Sequence, residues 1–187
     1  MSKGGDADFE MRREAAKDRI NQIDRGQLSE NPKRSEFFET VYDQADGDAA
    51  MVPWADLKAK DRLIEWLQGK TELGGSALDI GCGLGDNAEL LAQHGYKTTA
   101  FDFSPKAIDW ALKRFPNSMV EYHVADLFDL PKKWLGSFDL VHECYTLQSI
   151  PPETLKRSIP AIASLVKAGG TLLVYSRWRG DGESVDG

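Results

Sequence analysis

The sequence has few of the features that mark a secreted, membrane-bound or metal-binding protein. Its 187 residues include three histidines and two cysteines, Cys82 and Cys144, which lack the spacing of a metal site. The N-terminus has no apolar signal core, and no run of about 18 apolar residues could span a bilayer. These absences predict a cytoplasmic protein with no membrane partner. We interpret both cysteines as small, reduced packing residues.

Basic residues are also scarce relative to acidic ones. The chain carries 23 basic and 30 acidic residues, a net charge of -7, and no basic stretch stands out. Proteins that bind nucleic acids neutralise phosphates with such stretches, so we expect no nucleic-acid partner. The hydrophobic content of 41% is enough for one domain with a single core.

The N-terminal part of the chain is predicted to be helical. Residues 6–25 carry a weak apolar stripe among alternating acids and bases, which indicates an amphipathic helix. Ser35 is placed to cap a second helix, and a third is expected over residues 56–67. We therefore divide the chain into an N-terminal helical extension with its linker, residues 1–34, and a main domain, residues 35–187.

Beyond Gly75, short apolar strands alternate with helices. This alternation predicts an α/β fold: a doubly wound, Rossmann-like and mostly parallel sheet. The ligand crevice of such a sheet lies at the carboxyl ends of its strands, so the loops that follow the first four strands should converge. The five expected strands cover residues 77–80, 97–103, 119–125, 138–143 and 171–176.

A glycine-rich loop follows the first predicted strand. Residues 79–85 read Asp-Ile-Gly-Cys-Gly-Leu-Gly, and Asp102 ends the second strand. Alternate glycines let a backbone approach a ligand closely, and a carboxylate at that strand end can accept hydrogen bonds from both ribose hydroxyls. A dinucleotide fingerprint would have its third glycine at the position of Leu84. The spacing therefore favours a nucleoside cofactor other than NAD, and an NAD-dependent oxidoreductase is the weaker alternative.

Two further residues at strand ends are candidates for contact with an adenine. Phe103 follows Asp102 and is placed to cover the ring. Asp126 lies just past the third strand, where its carboxylate could accept a hydrogen bond from the adenine amino group. The alternative role is a helix or turn cap for Asp102 and a turn residue for Asp126.

Five segments resemble, in order, the motifs of class I S-adenosylmethionine (SAM) dependent methyltransferases. They are Ala-Leu-Asp-Ile-Gly-Cys-Gly-Leu-Gly at 77–85, Phe-Asp-Phe-Ser-Pro at 101–105, Val-Ala-Asp at 124–126, Phe-Asp-Leu-Val at 138–141 and Lys-Ala-Gly-Gly-Thr-Leu-Leu at 167–173. The resemblance implies SAM as the cofactor and S-adenosylhomocysteine (SAH) as its product. It also implies that Asp79 holds the glycine loop or contacts the methionine part of SAM through water. The implied cofactor-binding residues are Asp79, Gly81, Cys82, Gly83, Gly85, Asp102, Phe103, Ala125, Asp126, Leu127 and Glu143.

A finer similarity connects the chain to small-molecule methyltransferases of the thiopurine, thiol and halide type. It is found in the leader, residues 37–56, and in residues 143–148. In that branch a tryptophan before the first strand covers the cofactor, and Trp54 is at the matching position. The alternative is that Trp54 anchors the N-terminal helices.

The expected reaction is methyl transfer to a small-molecule thiol, halide, amine or hydroxyl by in-line displacement, as the resemblance implies. The candidate catalytic residues follow the fourth strand: His142 or Glu143 as a general base, and Tyr145 as a group that orients the acceptor. Strand geometry would send His142 and Glu143 to opposite faces, and ordinary packing is the alternative for each. A non-catalytic SAM-binding or scaffold protein is the alternative function.

The C-terminal end departs from the family pattern. The family sheet normally adds two strands after the fifth, whereas this sequence ends shortly after it. We therefore expect a C-terminally truncated domain with a flexible tail over residues 178–187. The identity of the acceptor and the oligomeric state have no signature in the sequence.

Overall fold

The structure is a computed structural model that describes residues 3–27, 34–70 and 74–177. The N-terminal part of the chain is helical. The helices are α1 (Lys3–Gln27), α2 (Arg34–Ala45) and α3 (Asp61–Gln68), with a 3-10 helix (Ala49–Met51) between α2 and α3. The predicted tail over residues 178–187 lies outside the described residues.

Two helix boundaries differ from the prediction. Ser35 lies inside α2 rather than at its N-cap. The third helix begins at Asp61 instead of residue 56, because Leu57 has a φ of 53°, outside the right-handed helical region. Residues 56–60 therefore form an irregular segment.

Five parallel strands form one sheet in the order β3–β2–β1–β4–β5, which confirms the predicted α/β fold. The strands are β1 (Ser76–Ile80), β2 (Lys97–Asp102), β3 (Glu121–Val124), β4 (Phe138–Cys144) and β5 (Val166–Tyr175). The chain passes from β1 to β2 and β3 on one side, and then crosses to β4 on the other. The strand order thus reverses between β1 and β4, the place where doubly wound sheets bind their ligands.

The last strand is longer than predicted. It begins at Val166, directly after the helix α6 (Pro152–Ala163) and a two-residue turn. The pairing of β4 with β5 shifts register between Phe138 and Leu140, which leaves residues 167–170 as a bulge in β5.

Helices cover both faces of the sheet. Ala100 of β2 packs against residues of α4 (Asp86–Gln93) and α5 (Pro105–Arg114), whereas the adjacent Phe101 packs in a cluster with Ile162 of α6. Adjacent strand residues point to opposite faces, so α4 and α5 lie on one face and α6 on the other.

The N-terminal helices pack beside the carboxyl ends of the strands. Ala16 and Ile20 of α1 are buried. Arg12 forms a 2.6 Å ion pair with Asp48, next to the 3-10 helix that α1 contacts. Helix α2 contacts α5. The N-terminal helices thus form a second wall at the ligand edge of the sheet.

Candidate active site

A cavity of about 830 Å³ opens at the carboxyl ends of the strands. The loops that follow β1, β2, β3 and β4 all reach it, as the topology predicts, and parts of α1, α2 and residues 53–60 also line it. The predicted site residues that line it are Trp54, Gly81, Cys82, Gly83, Asp102, Phe103, Ala125, Asp126, Leu127 and Tyr145. Those that do not are Asp79, Gly85, His142 and Glu143.

Two glycines of the loop after β1 are required by packing within the protein. Gly81 and Gly85 have φ angles of 62° and 90°, which favour glycine. A Cβ on Gly81 would lie 2.5 Å from the Thr146 hydroxyl, and a Cβ on Gly85 would collide with the hydroxyl of Tyr122. The prediction attributed these glycines to ligand approach, but the nearest obstacles are protein side chains.

Asp102 connects the end of β2 to the glycine loop. Its Oδ2 accepts the backbone N–H of Gly83 at 3.0 Å, and its Oδ1 accepts that of Ser104 at 3.0 Å. Burial raises the pKa of Asp102 to about 6, although the two N–H groups act in the opposite direction. Each carboxylate oxygen has a further lone pair, so Asp102 retains the capacity to accept ribose hydroxyls.

An aromatic cluster from the leader lies opposite the glycine loop. Trp54 packs edge-on against Phe38 and Tyr42, and its Nε1 donates to the Tyr42 hydroxyl at 2.8 Å. Phe103 packs edge-on against Phe38. A Cβ on Gly83 would lie 3.3 Å from the same Tyr42 hydroxyl. Trp54 therefore lines the cavity and also anchors α2, so its geometry fits both alternatives.

The end of β3 contributes an exposed acid to the cavity. Asp126 uses one oxygen, Oδ1, to accept the backbone N–H of Phe128 at 2.9 Å in a turn. Ala125 and Leu127 flank it and are half-buried. This arrangement provides a carboxylate and an apolar surface next to Phe103.

His142 is buried in the sheet, away from the cavity. Its ring Nδ1 lies 2.6 Å from Oδ1 of Asp79, its register partner on β1, and both residues are 1% exposed. The second oxygen of Asp79 is buried, with no hydrogen-bond partner within the part of the chain that the structure describes. This burial leaves a general-base role for His142 without structural support, and the water-mediated contact of Asp79 with the methionine stays a prediction.

Glu143 is fully buried and holds the loop after β4. Its Oε2 accepts the backbone N–H groups of Thr146 at 3.0 Å and Leu147 at 3.1 Å. Burial raises the pKa of Glu143, although these two N–H groups act in the opposite direction. The carboxyl group does not line the cavity, so it positions the loop rather than contacting an acceptor.

The loop after β4 is in direct contact with the glycine loop. Thr146 donates its hydroxyl hydrogen to the Ile80 carbonyl at 3.2 Å, and the same hydroxyl is the obstacle to a Cβ on Gly81. Tyr145 has a φ of 63°, which is rare for a residue with a side chain. The Glu143 contacts lie immediately after it, so they hold this conformation.

Tyr145 is the predicted catalytic residue that does line the cavity. The Nζ atom of Lys60 lies 4.9 Å from its ring centroid, and Cζ of Arg177 lies 5.7 Å from it. Burial, together with the neighbouring Tyr175 hydroxyl, raises the pKa of Tyr145 to about 12. The hydroxyl is therefore protonated at neutral pH and can donate a hydrogen bond, but it is a poor base.

Both cysteines are free thiols. Burial raises the pKa of Cys82 well above its usual range and that of Cys144 to about 12. Thiols with such values are weak nucleophiles at neutral pH, which supports the interpretation of both as packing residues.

Several residues of the cavity were missed by the sequence interpretation. Phe38 and Tyr42 are placed there by α2, and the cluster of aromatic residues in the leader is a signal for them. Lys60 and Arg177 also line the cavity, yet no motif surrounds either of them. Lys60 and Arg177 lie close to each other only because the tertiary structure brings both to the ring of Tyr145.

The residues at the strand ends fit a sulfonium nucleoside such as SAM. Asp102 and Asp126 offer acceptors for ribose and amino hydrogens, and Phe103 offers an apolar surface beside them. Over residues 3–27, 34–70 and 74–177, no group of three or more acidic, histidine or cysteine side chains could hold a metal ion. No helix in these ranges has the length and apolar character needed to cross a membrane.

Comparison with known protein families identifies the family of this chain. The methyltransferase domain family matches residues 77–170, just over half of the sequence. The chain therefore belongs to this family, and its fold and cofactor are those of class I SAM-dependent methyltransferases. The assignment argues against the alternative of an NAD-dependent oxidoreductase.

The relatives of the chain differ in their named acceptors. The ubiquinone biosynthesis O-methyltransferase of Bordetella avium is 35% identical over 115 residues, which cover 57% of this chain and 45% of the relative. The tRNA N(3)-methylcytidine methyltransferase of Schizosaccharomyces pombe is 35% identical over 111 residues, covering 56% and 45%. A solved structure described as "Conversion of a Disulfide Bond into a Thioacetal Group during Echinomycin Biosynthesis" is 26% identical, with a TM-score of 0.66. The match covers 74% of this chain and 58% of the chain in that structure. The chain spans less than half the length of the first two relatives.

Proposed function

We propose that this chain catalyses methyl transfer from SAM to a small-molecule nucleophile in the cavity at the carboxyl edge of the sheet. The observation that carries the proposal is the buried Asp102 carboxylate, which binds the glycine loop through Gly83 and lines the cavity. Membership of the methyltransferase domain family supports the same activity. When bound, SAM supplies an electrophilic methyl group on a positively charged sulfur.

We assign the nucleoside part of the cofactor to the ends of β2 and β3. Asp102 would accept the ribose hydroxyls, Phe103 would cover the adenine, and Asp126 would accept from its amino group. The Gly81–Gly83 part of the glycine loop would lie beside the methionine part, with Trp54 covering it from the leader. The division into an extension over residues 1–34 and a domain over residues 35–187 stays a prediction.

The protein's contribution to the reaction is positioning and the exclusion of water. Trp54 and Tyr42 cover the cavity from the leader side, and the Glu143 contacts hold Tyr145 at the cavity wall. The protonated Tyr145 hydroxyl can donate a hydrogen bond that orients the acceptor.

The finer proposal is an acceptor that requires no general base, as in the thiol and halide branch. No histidine lines the described part of the cavity, and Asp86 there is bound by two hydrogen bonds to Arg114. Asp56 is likewise engaged by cations. Such a wall suits a nucleophile that is already reactive, such as a thiol.

The test has two stages. Calorimetry with SAH should show binding to the wild-type chain, and incubation with labelled SAM should then transfer label to members of a panel of thiols, halides, amines and phenols. tRNA is included in the panel because one relative is named for a tRNA acceptor. Binding of SAH without transfer to any member would support the non-catalytic SAM-binding alternative, and transfer to tRNA alone would overturn the small-molecule assignment.

A further inference from the structure

The cavity wall has opposite charge at its two ends. Asp102 and Asp126 lie at the ends of β2 and β3, whereas Lys60 and Arg177 both lie over the ring of Tyr145. This pairing of cations occurs in a chain whose net charge is -7. Like charges that share one partly enclosed site repel each other unless an anion binds there.

Lys60 shares its carboxylate partner with a second cation. Asp56 forms ion pairs with both Lys60 and Arg13, so one carboxylate serves two cations. Their side chains are only 19% and 11% exposed. Burial acts to raise the pKa of Asp56, but the two cations outweigh it and lower the pKa. Arg13 is also paired with Glu10 at 2.6 Å, so these four side chains balance in charge, but Lys60 has only a shared carboxylate as its partner.

Arg177 adds a second positive charge near the same ring. Within the part of the chain that the structure describes, its guanidinium has no carboxylate partner. Its backbone N–H donates to Oε1 of Gln148 at 3.0 Å, which fixes the end of β5 against the loop after β4. Arg177 is thus held at the cavity wall by its backbone, while its charged group contacts no carboxylate of the described residues.

We propose that the methyl acceptor of this chain is a small anion, whose carboxylate or phosphate group contacts both Lys60 and Arg177 beside Tyr145. This inference rests on the proposed methyltransferase function and names its substrate class. A guanidinium matches two oxygens of a carboxylate or phosphate, and an ammonium adds a point charge. The anionic group would fix the acceptor at one end, so that its nucleophilic atom faces the cofactor.

The experiment compares matched anionic and neutral probes on the protein saturated with SAH. Dissociation constants are measured by calorimetry at constant ionic strength for benzoate against benzamide, and for phenyl phosphate against phenol. We expect at least one anion to bind about tenfold more tightly than its neutral partner, as expected for one charge-assisted contact. The two pairs separate a carboxylate site from a phosphate site.

The variants Arg177→Gln and Lys60→Gln should each reduce the preference for the anion to less than about threefold, which is a loss of most of one charge-assisted contact. Arg177→Lys should restore part of it. Lys58→Gln removes the same charge from the cavity wall but leaves both cations over Tyr145, so it should preserve the preference. If Lys58→Gln lost the preference for the anion to the same extent, the preference would come from the overall charge of the cavity, and the proposed site would be contradicted.

The affinity for SAH separates the two possible failures. If wild type does not bind SAH, the proposed function fails. If wild type binds SAH but shows no preference for either anion, the anionic acceptor is refuted. A large loss of SAH affinity in Lys60→Gln or Arg177→Gln, with the anion preference unchanged, would assign these cations to the cofactor and also refute it.

Discussion

The two ends of the cavity are constructed differently. At the cofactor end, the contacts are made by backbone N–H groups and by acids directly after strands, as at Asp102 and Gly83. At the proposed acceptor end, the side chains of Lys60 and Arg177 approach Tyr145 from distant parts of the chain. The ligand of a site made by backbone groups changes little when surface residues are substituted. The ligand of a site made by side chains can change with a single substitution. We therefore expect the cofactor end to define the family and the proposed acceptor end to define the substrate.

The largest expected effect tests the cofactor end. Asp102→Ala removes the acceptor of two backbone N–H groups and of the proposed ribose hydroxyls. We expect the dissociation constant for SAH to rise about 100-fold, which corresponds to the loss of one to two hydrogen bonds to a charged group. Calorimetry measures the constant, and circular dichroism checks that the variant is folded.

Asp126→Ala is the matched control, because it removes the same group from an exposed position with one turn contact. We expect a loss of less than about tenfold there, as for a single exposed hydrogen bond. Equal affinities of the two variants for SAH would contradict the assignment of Asp102 as the main ribose acceptor.

The second prediction tests whether the two ends are separable. Glu143→Ala leaves the N–H groups of Thr146 and Leu147 without their acceptor, and should lower the free energy of unfolding by about 3 kcal/mol. Urea denaturation measures this loss. Glu143→Gln keeps an acceptor oxygen and should lose less than half as much.

Glu143→Ala should change SAH affinity by a smaller factor than Asp102→Ala, because the Glu143 side chain is connected to the glycine loop through Thr146, whose hydroxyl donates to the Ile80 carbonyl. If Glu143→Ala weakened SAH binding as much as Asp102→Ala did, the two ends would form one unit and the comparison would fail.

The sequence predicted the fold well, because the fold depends on local patterns, whereas the cofactor-binding roles assigned to the loop residues stay predictions. Apolar runs and glycines determine where β1 and β2 end, and the parallel topology then brings Asp102 to the glycine loop. The positions of His142 and Glu143 were harder to predict, because a strand's register and pleat decide whether a side chain faces a cavity or the core. The approach of Lys60 and Arg177 depends on contacts between remote segments, including the irregular backbone at Leu57.

The third prediction sharpens the role of the leader. Tyr42→Phe removes the hydroxyl that accepts from Nε1 of Trp54, and so loosens the aromatic wall opposite Gly83. We expect SAH to bind about fivefold more weakly, the effect of about 1 kcal/mol for a single hydrogen bond. Tyr96→Phe, outside the cavity lining, is the control and should leave the affinity unchanged. An unchanged affinity in Tyr42→Phe would show that the Trp54 contact serves only the packing of α2.

The smallest predicted effect depends on pH and involves the cofactor end alone. Burial raises the pKa of Asp102 from 3.8 to about 6, and ribose hydroxyls donate to the charged carboxylate. At pH 5.5 only about a quarter of the protein would carry that charge, so the SAH dissociation constant should rise about fourfold relative to pH 7.5. Calorimetry across this range measures it, and Asp102→Asn should bind more weakly but without this dependence.

The stability of the free protein should change in the opposite direction. Because the pKa of Asp102 is higher in the folded than in the unfolded chain, the folded state takes up the proton first as the pH falls from 6 toward 4. The free energy of unfolding of wild type should therefore rise relative to that of Asp102→Asn over this interval, while the affinity of wild type for SAH falls. A parallel fall of both quantities would indicate that another group controls binding, and the charge of Asp102 would then have no role in holding the ribose.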